Sequence, residues 1–224
     1  VEKNKYWTPK SDGSLRNFGV EYVLKKPLNL TEVKLALRDF DKTTKGVVFI
    51  ENAPGTSVHV HMNVQDFNVR TLGVFMTVWT LFENILVEYS GPTRRSNLFT
   101  LPVRCAEGNL DNIVKLFRRI EANGQNVLAS NDNQVKYAAL NIGCLKTFLS
   151  LEARSFRGTV KTSEIYTWCA ILDRMMSFAV SYKGTPRDIM DGYRKYGWES
   201  IFWSVFDDLG SELISVVGDL NTLG

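Results

Sequence analysis

Between Ser57 and Val64 the chain reads S-V-H-V-H-M-N-V. Val58, Val60, Met62 and Val64 alternate with Ser57, His59, His61 and Asn63. Successive side chains of a strand point to opposite faces, so this segment is a strand with one apolar and one polar face. A strand of that kind needs a sheet covered on one side only, which is the habit of antiparallel sheets. Both histidines of the chain stand on the polar face.

The rest of the chain fits around such a sheet. Phe18, Val20, Tyr22 and Leu24 alternate after the turn residues Asp12-Gly13-Ser14, giving a strand with Glu21 on the opposite face. Asn29 and Glu32 have capping-box spacing for a helix to about Phe40. Gly46 to Ile50 reads as a short strand before a Pro54-Gly55 turn, and Leu72 to Tyr89 as a helix stopped by Gly91-Pro92. Leu110 to Asn123, with Asn109 as cap, and Gln134 to Leu140 read as helices. Thr147 to Phe156 alternates again, with Phe148, Ser150, Glu152, Arg154 and Phe156 expected on one face. Helices are expected at Ser163 to Tyr182, Pro186 to Tyr196, Glu199 to Leu209 and Ser211 to Leu220. Strands early and helices late, without a βαβ rhythm, predict an α+β fold with helices on one face of a largely antiparallel sheet. No linker marks a boundary, so residues 1–224 are read as one domain.

Composition narrows the function classes. The chain has 44% hydrophobic and 23% charged residues, and 27 Lys+Arg against 24 Asp+Glu leave +3. That excludes a disordered chain and argues against a nucleic-acid binder working by bulk electrostatics. No apolar run reaches the ~18 residues of a membrane span, since Glu83 and Asn84 interrupt Leu72 to Val87. The three cysteines, Cys105, Cys144 and Cys169, form no CxxC pair and suit a reducing cytoplasm. They are read as small buried hydrophobes.

The polar faces carry the chemistry. If the strands converge, Glu21, His59, His61, Glu152 and Arg154 form one mixed surface. Carboxylates suit Mg²⁺ and arginines suit phosphate oxygens, a pairing that serves nucleotide phosphates. Arg94 and Arg95 follow the long helix, either complementing its dipole or forming a loop-borne phosphate clamp. No Walker A, GxGxxG, GxSxG or HExxH pattern is present. A zinc hydrolase built on His59 and His61 ranks last, for want of a third nitrogen or sulfur ligand at useful spacing.

Several segments resemble the phage and bacterial amidoligase family, carboxylate–amine ligases of the glutamine synthetase and glutamate–cysteine ligase superfamily. They are Tyr6-Trp7-Thr8-Pro9-Lys10 with Asp12-Gly13-Ser14-Leu15, Val20-Glu21-Tyr22 with Pro27-Leu28, His59-Val60-His61, Arg94-Arg95-Ser96-Asn97, Tyr137-Ala138-Ala139-Leu140-Asn141, and Leu151-Glu152-Ala153-Arg154 followed by Arg157-Gly158-Thr159. They occur in the family's order from residue 6 to about 180.

The resemblance implies a curved, glutamine synthetase-like sheet cradling ATP and Mg²⁺. It implies a reaction in which a small-molecule or peptide carboxylate is activated as an acyl phosphate for attack by an amine. It implies metal ligands at Glu21 and Glu152, nucleotide or metal binding at His59 or His61, and phosphate binding by Arg154 with Arg94 or Arg95. Asp12 is implied near the amine, and Asn141 at the nucleotide site without a defined role. No nucleic-acid or membrane partner is expected, and a phage-encoded protein of this kind would act in the host cytoplasm. The family opens on a Glu-x-Glu strand, whereas here Glu2 stands alone before Lys3 and Lys5, so the chain is read as short of that strand. The alternative is an inactive binding protein that keeps the ligase fold.

Overall fold

A computed structural model describes residues 5–13, 19–47, 49, 51, 53–95, 97–98, 100–103, 118 and 137–217. The architecture is α+β, with seven helices and two small antiparallel sheets among the described residues. The first sheet is the hairpin β1 (Trp7–Ser11) and β2 (Val20–Leu24). The second has the order β3-β5-β4, from β3 (Ser57–Asn63), β5 (Ser150–Arg157) and β4 (Leu140–Asn141). The single sheet expected from the sequence is therefore divided in two.

Strand β1 carries Pro9, which masks it in a reading by alternation. Proline donates no ladder bond and is tolerated here because, among the described residues, both strands of the hairpin are edge strands. This hairpin packs on α1 (Leu30–Thr43): Trp7 Nε1–H donates to the Ala36 carbonyl at 2.8 Å, and Tyr22 meets Phe40 edge-on. The capping box of α1 is formed, with Glu32 N–H on Asn29 Oδ1 at 2.9 Å and Asn29 N–H on Glu32 Oε2 at 3.1 Å. No strand forms at the described residues of 46–50; Gly46 turns the chain at φ +83° and Phe49 packs against Tyr22 and Phe40.

Helix α2 (Val69–Ser90) runs through the core and ends at Gly91, whose φ of +106° is readily adopted only without a Cβ. It has the length of a membrane span and a mean hydropathy of 1.2, but 61% of that stretch is buried within the molecule. Val74, Phe75, Val78, Trp79, Phe82 and Leu86 pack with Met62, Leu151, Ala153 and Phe156 of the second sheet. Glu83, fully buried on α2, accepts from Trp79 Nε1–H at 3.0 Å and from Val103 N–H at 2.8 Å. Glu83→Ala would strand both donors, so we expect a loss of about 3 kcal/mol, read by urea unfolding.

A short helix, α3 (Cys144–Phe148), precedes β5, and Leu149 between them is left-handed at φ +52°. The alternation from Thr147 therefore becomes a strand only at Ser150, and Phe148 projects from a helix end, 66% exposed. The helix expected at Gln134 to Leu140 is not seen in its described part, where Leu140 joins β4 and Ala138 bridges Leu101. The helix expected at Leu110 to Asn123 lies outside the described residues, apart from helical Arg118. Helices α4 (Thr162–Ser181), α5 (Pro186–Tyr196), α6 (Trp198–Phe206) and α7 (Leu209–Ser215) complete the chain. Trp168 of α4 stacks on Phe156 at 5.1 Å, fastening the helical layer to β5.

Candidate functional site

Strand β5 lies between β3 and β4, so Glu152 has a cross-strand neighbour on each side: His61 on β3 and Asn141 on β4. His59 stands two residues from His61, and Arg154 two residues from Glu152. Period 2 thus delivers both to the same face. Between Val58 and Val60 the register shifts, β5 spending one extra residue there. This irregularity turns Phe156 into the core with Leu151 and Ala153, away from the face of Glu152 where plain alternation put it.

The carboxylate of Glu152 is the hub, only 5% exposed. Its Oε1 lies 2.8 Å from Arg154 Nη1, 3.1 Å from His59 Nδ1 and 3.7 Å from His61 Nε2. Its Oε2 accepts from Asn141 Nδ2–H at 2.7 Å and lies 3.5 Å from Cys144 Sγ. Burial alone would raise this carboxyl, but the hydrogen bond from His59, the charge of Arg154 and the Asn141 amide outweigh it. The group is held well below the usual carboxylate range and stays ionised. The Arg154 Nε–H is buried and has no hydrogen-bond partner among the described residues.

Around this hub the face opens to solvent. Both histidine side chains are partly exposed, His61 the more so. His59 Nε2 lies 2.6 Å from Ser57 Oγ, and His61 Nδ1 lies 3.1 Å from Ser150 Oγ. The His59 ring is thus held at both nitrogens, by Ser57 and Glu152, and the His61 ring at Nδ1 by Ser150, with its Nε2 facing Glu152 beyond hydrogen-bond distance. With Nδ1–H of His59 on the carboxylate, Nε2 accepts from the Ser57 hydroxyl.

The other candidates lie elsewhere. Glu21 is exposed on the β1–β2 hairpin opposite Lys10, and Asp12 follows β1 with its N–H on the Gly19 carbonyl at 2.9 Å. Among the described residues neither shares a sheet with Glu152, because β2 pairs there with β1 alone. Arg94, 2% exposed, does not present its guanidinium as a clamp. It donates from Nε to Ser155 O at 2.9 Å, from Nη2 to Arg154 O at 3.0 Å, and from Nη1 to Thr56 O and Pro54 O at 3.2 and 3.3 Å. Burial, then the charge of Arg154, pull its pKa down to about 10. Arg95 is exposed and pairs with Glu88. Asn97 of the same loop donates to Pro54 O at 3.0 Å.

Three residues at the site belong to no recognisable site motif in the sequence: Ser57, Ser150 and Cys144. The serines carried a signal, since each shares a strand face with a candidate residue. Cys144 carried none, because only the turn between β4 and β5 brings it to Glu152. Burial and the neighbouring Glu152 charge push its thiol up to about 12. Cys169 on α4 is likewise pushed up to about 12, by burial and then by Asp173. Cys105 lies outside the described residues.

No protein family, curated protein or solved structure matches this chain.

Proposed function

We propose that the chain is an ATP- and Mg²⁺-dependent carboxylate–amine ligase whose catalytic face is the polar side of β3-β5-β4. The observation that carries this reading is the gathering of His59, His61, Arg154 and Asn141 around the ionised Glu152 carboxylate. These residues fit the groups the reaction needs. An ionised carboxylate is a hard ligand for Mg²⁺, which keeps most of its shell as water and phosphate oxygens. The unpartnered Nε–H of Arg154 is a donor suited to a phosphate oxygen. When bound, ATP would supply the γ-phosphoryl that activates the carboxylate substrate.

The chain's own residues then bind and orient. Glu152 holds Arg154 in place through Nη1, so the guanidinium does not need to reorganise as charge develops on the transferred group. His59, fixed by Ser57 and Glu152, and His61, fixed by Ser150, present imidazole edges along the open side of the face. Asn141 keeps the carboxylate from rotating.

A second reading, a binding protein that keeps the fold without turnover, is favoured by one observation. Of the candidate carboxylates Glu21, Asp12 and Glu152, only Glu152 lies on this sheet. Thermal unfolding separates the readings. Saturating ATP with Mg²⁺ should raise Tm by linkage, about 2.7 kcal/mol of stabilisation at a hundred times Kd. Glu152→Gln should remove most of that shift. ADP release with a mixture of amino acids as acid and amine donors identifies the ligase. The binding protein gives no nucleotide-dependent shift, and that outcome refutes the ligase.

A further inference from the structure

We infer that His61, Cys144 and Glu152 form a binding site for a zinc-type divalent cation. Their ligand atoms lie within 4.8 Å of one another, and each residue comes from a different element: β3, α3 and β5. One imidazole, one sulfur and one carboxylate oxygen are the donor types that zinc accepts together. Magnesium, which takes oxygen ligands, has no use for the thiol. Cys144 is the sulfur ligand that the sequence alone does not bring to His61 and Glu152.

The surroundings of the three ligands favour this assignment. A ligating imidazole is normally held through its other nitrogen. Here Ser150 Oγ holds Nδ1 of His61 at 3.1 Å, leaving Nε2 on the Glu152 side. Asn141 Nδ2 reaches both other ligands, at 2.7 Å to Glu152 Oε2 and 3.4 Å to Cys144 Sγ. Metal binding has to displace the Cys144 proton, which burial and Glu152 hold on the sulfur, and the Asn141 N–H directed at Sγ offsets part of that cost. Three protein ligands leave a fourth position open, the arrangement of catalytic rather than structural zinc sites. The site shares Glu152 with the ligase reading but does not rest on it, and its test contains no nucleotide.

Cobalt(II) is the probe, since it occupies zinc sites and reports its ligands by absorption. Titration of the reduced 224-residue chain should give one equivalent of bound Co²⁺ with a thiolate-to-cobalt charge-transfer band in the near ultraviolet. Intense visible bands of four-coordinate cobalt should accompany it, and Zn²⁺ should bleach both. Cys144→Ser, nearly isosteric, should abolish the charge-transfer band, while Cys169→Ser should retain it. Ser150→Ala, which frees the outer nitrogen of His61, should weaken binding roughly ten- to a hundredfold. Circular dichroism establishes that each variant is folded. Absence of the band from the wild-type chain, or its survival in Cys144→Ser, overturns the assignment.

Discussion

Glu152→Ala is expected to cost about 3–5 kcal/mol of folding stability, the range for removing one partner of a buried ion pair. The side chain sits between His61 and Asn141 across the ladder and accepts from Arg154, His59 and Asn141. Truncation leaves the Arg154 charge largely buried without its counterion and strands the Asn141 amide. Loss of turnover in this variant would therefore mix chemistry with unfolding. Glu152→Gln keeps the shape and an acceptor while removing the charge, and should cost less.

The two variants also differ with pH. The folded-state pKa of Glu152 lies below its ordinary value of 4.5. Its contribution is therefore fully present above about pH 4.5 and is lost as pH falls toward the folded-state value. Urea unfolding midpoints of the wild type should drop across that acid range more steeply than those of Glu152→Gln. Parallel pH profiles would show that the carboxylate is not held as its neighbours imply.

Arg94→Ala should be comparably damaging, for a reason unrelated to phosphate. Its guanidinium bonds four backbone carbonyls, those of Pro54, Thr56, Arg154 and Ser155. In doing so it ties the turn before β3 to the irregular stretch of β5. Hydrogen bonds to a charged donor contribute about 1.5–3 kcal/mol each when lost singly. The carbonyls share one donor group and partly relax, so a total of about 3–5 kcal/mol is expected. Arg94→Lys should recover little of it, because an ammonium cannot reproduce the planar fork. Arg95→Ala, which removes an exposed pair with Glu88, should cost under about 1 kcal/mol. Equal, small losses at Arg94 and Arg95 in urea titrations would contradict the structural role of Arg94.

These contrasts mark how far the sequence was legible. The polar face of β3 follows from S-V-H-V-H-M-N-V, because strand geometry has period 2 and admits one assignment. The capping box at Asn29 and the helix stop at Gly91 are equally local, since each depends on residues within one turn. Arg94 and Arg95 are indistinguishable in sequence, both basic and adjacent. What separates them is burial against carbonyls 38 to 61 residues away along the chain. Phe156 departs from simple alternation for a related reason. Alternation breaks at a register shift, and a shift exists only relative to a partner strand.

A strand with two histidines on one face, an apolar other face, and an α+β order of elements can be read from the residues alone. Local stereochemistry and side-chain periodicity are sufficient for that. Which carboxylate meets the histidines depends on the assembled sheets. The β3-β5-β4 order places Glu152 there, while the closed hairpin keeps Glu21 with Lys10. The tertiary structure alone brings Cys144 to the same carboxylate, through the turn at α3. Contacts between residues distant in sequence depend on strand order and register. Those are set by how apolar faces pack around α2 and α4, and no single segment encodes them.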